Sequence, residues 1–223
     1  MADIIPLTGP ALPPASGEPP KQIVLLLHGV GADGQDLIGL APFFQQVLPD
    51  ALFVAPNAPH PFDMAPMGYQ WFPLGDFSEA HRLAGARAAA PHLNAFMDLL
   101  LKHTGLTEAD MALVGFSQGT MMALHVGLRR EKPVAGIIAY SGMLLGLDAL
   151  KDEIRARPPV LAMHGDADEV LPVASLPHLV AGLESLDVPV DHEVRPGLGH
   201  GIDEQEIQRG MAFLTRIFGG AAD

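Results

Sequence analysis

The sequence predicts an α/β fold: a mostly parallel sheet with helices on both faces. Two observations carry that expectation. Short, continuous apolar runs recur along the chain, as strands buried on both faces require. Stretches long enough for a helix, several with clear helical period, separate them, which favours parallel pairing through crossover connections. In such a sheet ligands bind at the carboxyl ends of the strands, so chemistry is sought just after each run.

Taken in order, residues 1–20 form a leader punctuated by Pro6, Pro10, Pro13, Pro14, Pro19 and Pro20, expected to be extended over the surface with neither helix nor ladder. Residues 21–223 are expected to form a single domain. Gln22 to Leu27 is the first strand, followed by Leu52 to Ala55, Met111 to Val114, Gly136 to Tyr140 and Val160 to Met163, with Val190 to Val194 an edge strand. Between them, Leu37, Leu40, Ala41, Phe44 and Leu48 follow helical spacing, as do Leu93, Phe96, Met97 and Leu100, and Leu176, Leu179, Val180 and Leu183. Pro91 should kink or divide its helix. Ile207, Met211, Leu214 and Phe218 make the stripe of a last helix, which Asp203 is placed to cap.

Composition narrows the function. With 48% apolar residues a chain of 223 can bury a sizeable core without disulfide or metal. Cysteine is absent, which excludes a disulfide scaffold, thiolate-bound zinc, iron–sulfur clusters and a cysteine nucleophile. A net charge of −13 repels phosphate backbones and anionic lipid surfaces, so neither nucleic acid nor stable membrane insertion is expected. The first residues show no signal-peptide pattern and no run is long and apolar enough to span a bilayer, so a cytoplasmic protein is expected. Monomer and homodimer are both open.

Gly115-Phe116-Ser117-Gln118-Gly119 follows the strand Met111 to Val114 and precedes Thr120 to Arg129, apolar nearly all round as a buried helix would be. A G-x-S-x-G segment between strand and helix places a serine on a sharp, strained turn with its hydroxyl projecting, at a helix N-terminus that favours developing negative charge. Ser117 is therefore read as a nucleophile, against the plainer reading of a helix cap. Ser141 is a rival lacking the paired glycines.

A serine hydroxyl needs a neutral imidazole beside it, held in the right tautomer by a carboxylate. His200, in Gly197-Leu198-Gly199-His200-Gly201, is favoured because it alone falls after both acidic candidates in the order serine, acid, histidine. His28 and His164, each before a glycine at a strand end, read as structural. Asp166 and Asp168 both qualify as the acid, and spacing does not choose between them. For the oxyanion hole, the Gln118 N–H supplies one donor and Val30 or Gly31, in the glycine-rich loop after the first strand, the other. That loop lacks the spacing of phosphate-binding motifs. No metal-binding motif is present and no cofactor is implied.

The segments LLLHGVGADGQDL, FVAPNAPHPF, QWFPL, GFSQGTMMAL, HGDADEVLP and GLGHGI, in that order, resemble the phospholipase/carboxylesterase family of α/β-hydrolases, relatives of acyl-protein thioesterases, over about residues 21 to 218. The resemblance implies an α/β-hydrolase fold without a large separate cap domain. It implies Ser117 as nucleophile, Asp168 rather than Asp166 as acid, His200 as base, and the N–H groups of Val30 and Gln118 as oxyanion hole. The activity it implies is hydrolysis of small carboxylic esters of short to medium acyl chain by acyl transfer through the serine. An acyl-thioesterase or lysophospholipase shares that chemistry; a non-catalytic binding module of the same fold is the alternative from another class.

The chain departs from the family in its leader and in the loop from Pro56 to Phe77, whose stretch from Pro56 to Phe72 carries Phe62, Met64, Met67, Tyr69, Trp71 and Phe72 with one charge, Asp63. Such a loop either walls an acyl pocket or plugs the core. Trp71 and Phe72 are expected to touch substrate, with Met143, Leu144 and Val170 as further wall residues.

Overall fold

A computed structural model describes residues 4–219. Its strands are β1 (Ala11–Leu12), β2 (Gln22–Leu27), β3 (Ala51–Val54), β4 (His60–Pro61), β5 (Tyr69–Gln70), β6 (Met111–Phe116), β7 (Gly136–Tyr140), β8 (Val160–Gly165) and β9 (Val190–Arg195). Seven form one sheet in the order β1-β3-β2-β6-β7-β8-β9, parallel except where β1 pairs antiparallel with β3. This is an α/β-hydrolase type of sheet, with every predicted strand in place.

The helices are α1 (Gly34–Leu37), α2 (Ala41–Phe44), α3 (Glu79–Thr104), α4 (Gln118–Gly127), α5 (Leu147–Glu153), α6 (Ser175–Glu184) and α7 (Glu204–Phe218). Strand residues alternate between two cores. Ile23, Leu25, Leu27 and Leu113 pack with α3, α4 and α6 on one face, while Val24, Leu26, Ala112 and Val114 pack with α1, α2 and α7 on the other. Burial on both faces is why these strands read as unbroken apolar runs. From β2 the chain passes first to β3 on one side and later to β6 on the other. The loops after β2 and β6 therefore diverge, opening the crevice where ligands bind in open parallel sheets.

Three expectations are corrected. The leader does form a ladder, with Ala11 opposite Val54 and Leu12 opposite Phe53. Its prolines flank this two-residue pairing on a sheet edge, where proline is tolerated. The helical stripe from Leu37 to Leu48 is not one helix. α1 and α2 are single turns joined by a 3-10 turn, in which the Ala41 N–H donates to the Ile38 carbonyl; Pro42 has no N–H to offer that carbonyl. Conversely, α3 runs undivided through Pro91, which is exposed while Ala86, Ala89, Leu93, Met97 and Leu101 anchor the helix on both sides of it. As expected, Asp203 caps α7, its carboxylate accepting the Glu206 N–H at 2.8 Å.

Candidate active site

Ser117 sits between the end of β6 and the start of α4 with φ 56° and ψ −116°, a conformation rarely populated by a residue with a side chain. The neighbouring glycines make the turn possible. A Cβ on Gly119 would fall on the Leu27 carbonyl, and one on Gly115 would strike the backbone of Thr120. The Ser117 hydroxyl makes no capping bond to α4, so the cap reading is set aside. Ser141, the rival hydroxyl, is fully buried.

Two loops join at the ends of β8 and β9. The Ala167 N–H donates to the Leu198 carbonyl at 3.0 Å and the Asp166 N–H to the Arg195 carbonyl at 3.1 Å; Gly165 leaves room for the Leu198 carbonyl. This pairing brings His200 Nδ1 to 2.7 Å from Asp168 Oδ2. The other Asp168 oxygen accepts the N–H groups of Val170 and Leu171, both at 2.8 Å. Asp166 is engaged differently, its carboxylate accepting the Gly197 N–H at 2.6 Å and fixing the turn before His200. Burial opposes ionisation of Asp168, but the hydrogen bonds from His200, Leu171 and Val170 outweigh it and hold its pKa below the usual carboxylate range.

The His200 ring packs on Phe116, the neighbour of Ser117, with centroids 4.8 Å apart. Among the described residues no hydrogen bond joins the Ser117 hydroxyl to His200, a contact that in unliganded sites is often long and tightens with substrate. His164, read as structural, also touches Asp168. Its Nε2 is 2.8 Å from the Leu171 carbonyl and 3.2 Å from Asp168 Oδ2. His28 is structural: Nδ1 is 2.7 Å from the Gly29 carbonyl and Nε2 accepts the Ala58 N–H at 3.0 Å. Burial lowers its pKa and favours that neutral form.

The loop after β2 offered two possible donors. The Gly31 N–H is taken by the Tyr69 carbonyl at 2.8 Å, whereas the Val30 N–H has no acceptor among the described residues and Val30 lines the cleft at Ser117. Gln118 opens α4, so its N–H lacks an intrahelical acceptor. Its side chain does something spacing did not reveal. Oε1 accepts the Trp71 N–H and Nε2 donates to the Phe72 carbonyl, both at 2.8 Å, clamping the aromatic loop to the turn at Ser117.

That clamp corrects the expectation for Trp71. The indole is fully buried, its Nε1 donating to the His28 carbonyl at 3.0 Å, so it anchors the loop in the core and does not face the cleft. The cleft itself, about 120 Å³, is lined beside Ser117 by Phe72, Phe77, Met121, Val170 and Arg82. Phe72 and Val170 thus lie where a wall was expected. Met143 and Leu144 do not line it; they border an adjoining groove of about 670 Å³ between α3, α5 and α6. Among the described residues no cluster of three His, Asp or Glu side chains could hold a metal, and no helix is long and apolar enough to cross a membrane.

A sequence model of the phospholipase/carboxylesterase family matches residues 14–217. Esterase YpfH of Escherichia coli K12 is 32% identical, over 88% of this chain and 83% of that protein. Acyl-protein thioesterase 1 of Neurospora crassa is 30% identical, over 90% of this chain and 88% of that protein. Among solved structures, esterase PE8 superposes with a TM-score of 0.92 at 45% identity, covering 96% of this chain and 100% of the other. SOBER1 of Arabidopsis thaliana shares the fold, with a TM-score of 0.78 at 22% identity over 88% of this chain and 98% of its own.

Proposed function

The chain belongs to the phospholipase/carboxylesterase family, and on that premise we propose that it hydrolyses carboxylic esters of short to medium acyl chain through an acyl-enzyme on Ser117, with His200 as base and Asp168 as its orienting carboxylate. The observation that carries this reading is the 2.7 Å contact between His200 Nδ1 and Asp168 Oδ2. With Nδ1–H donated to the carboxylate, the Nε2 lone pair is left to accept a proton. The ring lies against Phe116, at the turn that projects the Ser117 hydroxyl.

Ser117 Oγ attacks the ester carbonyl as His200 Nε2 takes its proton, and Asp168 stabilises the resulting imidazolium. The negative charge formed on the carbonyl oxygen is received by the N–H groups of Val30 and Gln118, aided by the N-terminus of the buried helix α4. The imidazolium returns the proton to the departing alcohol. A water activated by the same imidazole then releases the acid. No step requires a cofactor.

A cleft of about 120 Å³ is far smaller than the roughly 300–1,000 Å³ of pockets that enclose drug-sized ligands, which favours short acyl chains over long ones. Rates on p-nitrophenyl acetate, butyrate and decanoate, compared with a butyryl thioester, test the assignment. The expected order places acetate and butyrate esters above the decanoate and above the thioester. Faster turnover of the thioester than of its matched oxygen ester would make the protein a thioesterase with the same triad.

A further inference from the structure

Arg82 lies in the first turns of α3 and borders two cavities at once: the cleft at Ser117 and the larger groove that holds Met143 and Leu144. Among the described residues it is the one charged side chain lining that cleft, whose other walls are Val30, Phe72, Leu74, Phe77 and Val170 with their neighbours. It is also unpaired. Its guanidinium donates to the Met143 sulfur at 3.4 Å, a weak acceptor, and no carboxylate lies within ion-pair distance among the described residues.

The surrounding charges are engaged elsewhere. Glu79, one turn away, accepts the Gly146 N–H at 2.9 Å; Lys151 pairs with Asp148 at 2.7 Å; Arg87 and Arg129 share Glu153. In a chain carrying net −13, with 26 acidic residues to choose from, an unpaired half-buried guanidinium facing a reaction cleft is conspicuous for what it lacks. Its fork of donors matches a carboxylate in two parallel bonds, a match the thioether does not make.

We propose that Arg82 selects ester substrates that carry a carboxylate, the half-esters of dicarboxylic acids being the simplest, by pairing with that group while the scissile carbonyl lies at Ser117. The proposal rests on the ester-hydrolase reading of this cleft. An anionic ester is repelled by the acidic molecule as a whole, so a preference for it has to come from a local cation, and Arg82 is the one in place. The carboxylate could be on the acyl or the alcohol half of the ester, and matched substrates separate the two.

The test compares kcat/KM for mono-p-nitrophenyl glutarate with that for its neutral methyl ester, and for para-carboxyphenyl butyrate with that for its neutral methyl ester. Each pair is measured in the wild type, Arg82→Gln and Arg82→Lys. The readout is the ratio of charged to neutral substrate. In at least one pair that ratio is expected to fall about 10-fold to 100-fold in Arg82→Gln, mostly through KM, with Arg82→Lys intermediate. Ratios unchanged in both pairs for Arg82→Gln would overturn the proposal. Ser117→Ala in the same assay keeps the two claims apart: hydrolysis of the neutral esters that survives this change contradicts the role of Ser117 and leaves the Arg82 ratio readable.

Discussion

His200 Nδ1 lies 2.7 Å from one oxygen of Asp168, while the other oxygen of the same carboxylate is held at 2.8 Å by the N–H groups of both Val170 and Leu171. The Asp168 carboxylate is thus held by its own loop as well as by the imidazole. Asp168→Asn is expected to lower kcat by about 10⁴-fold, since an amide at this position can favour the wrong tautomer of His200. Asp166→Asn keeps an acceptor for the Gly197 N–H and should cost far less. Steady-state kinetics of the two variants check the assignment; the reverse ranking would transfer the role to Asp166.

Gln118 joins the helix after the serine to the backbone of Trp71 and Phe72 by two buried hydrogen bonds. Gln118→Ala leaves a buried N–H and a buried carbonyl unsatisfied and should destabilise the fold by about 2–4 kcal/mol. The backbone N–H of residue 118 remains, so residual esterase activity is expected in the folded fraction. Urea unfolding, read as a shift in midpoint at constant slope, measures the loss.

Trp71 is a structural anchor. Trp71→Phe removes the bond from Nε1 to the His28 carbonyl and should cost about 1–3 kcal/mol while leaving the ranking of acetate, butyrate and decanoate esters unchanged. A shift of that ranking toward longer chains would return Trp71 to the pocket wall.

Glu206 is fully buried, and its carboxylate oxygens have no hydrogen-bond partner among the described residues. Burial, reinforced by the charge of Asp203, pushes its pKa from 4.5 up to about 8. The unfolded chain therefore releases this proton well below the pH at which the folded chain does. Stability from this group should be fully present below about pH 4.5 and decline as pH rises toward 8, by on the order of a few kcal/mol once ionisation is complete. Glu206→Gln should flatten the decline between about pH 5 and pH 9 and raise the melting temperature at the alkaline end. An equal decline in the variant would place its cause elsewhere.

Much of the fold was legible because burial on both faces leaves an unmistakable mark on strands such as β2 and β6. Helical period was less informative. From Leu37 to Leu48 it reported which face is buried, but Pro42 altered the hydrogen-bond ladder beneath the same stripe. At Pro91 the reverse occurred, with packing on both sides carrying α3 past a residue that should interrupt it. At the site, glycine context and chain order are what single out Ser117 and His200 as candidates. The choice between Asp166 and Asp168 depends on which side chain a loop turns toward His200, which spacing does not encode. The same holds for Trp71, whose indole points into the core, and for the Gln118 clamp, whose partners lie 47 and 46 residues away. Arg82 carries no motif at all; its interest lies in having no carboxylate partner among the described residues of the folded molecule.

The most direct test is covalent. Folded protein incubated with a fluorophosphonate and analysed by peptide mass spectrometry should gain one adduct, located on Ser117, and both His200→Ala and Ser117→Ala should suppress it. Absence of an adduct in folded wild-type protein, or an adduct on another residue such as Ser141, would contradict activation of the Ser117 hydroxyl.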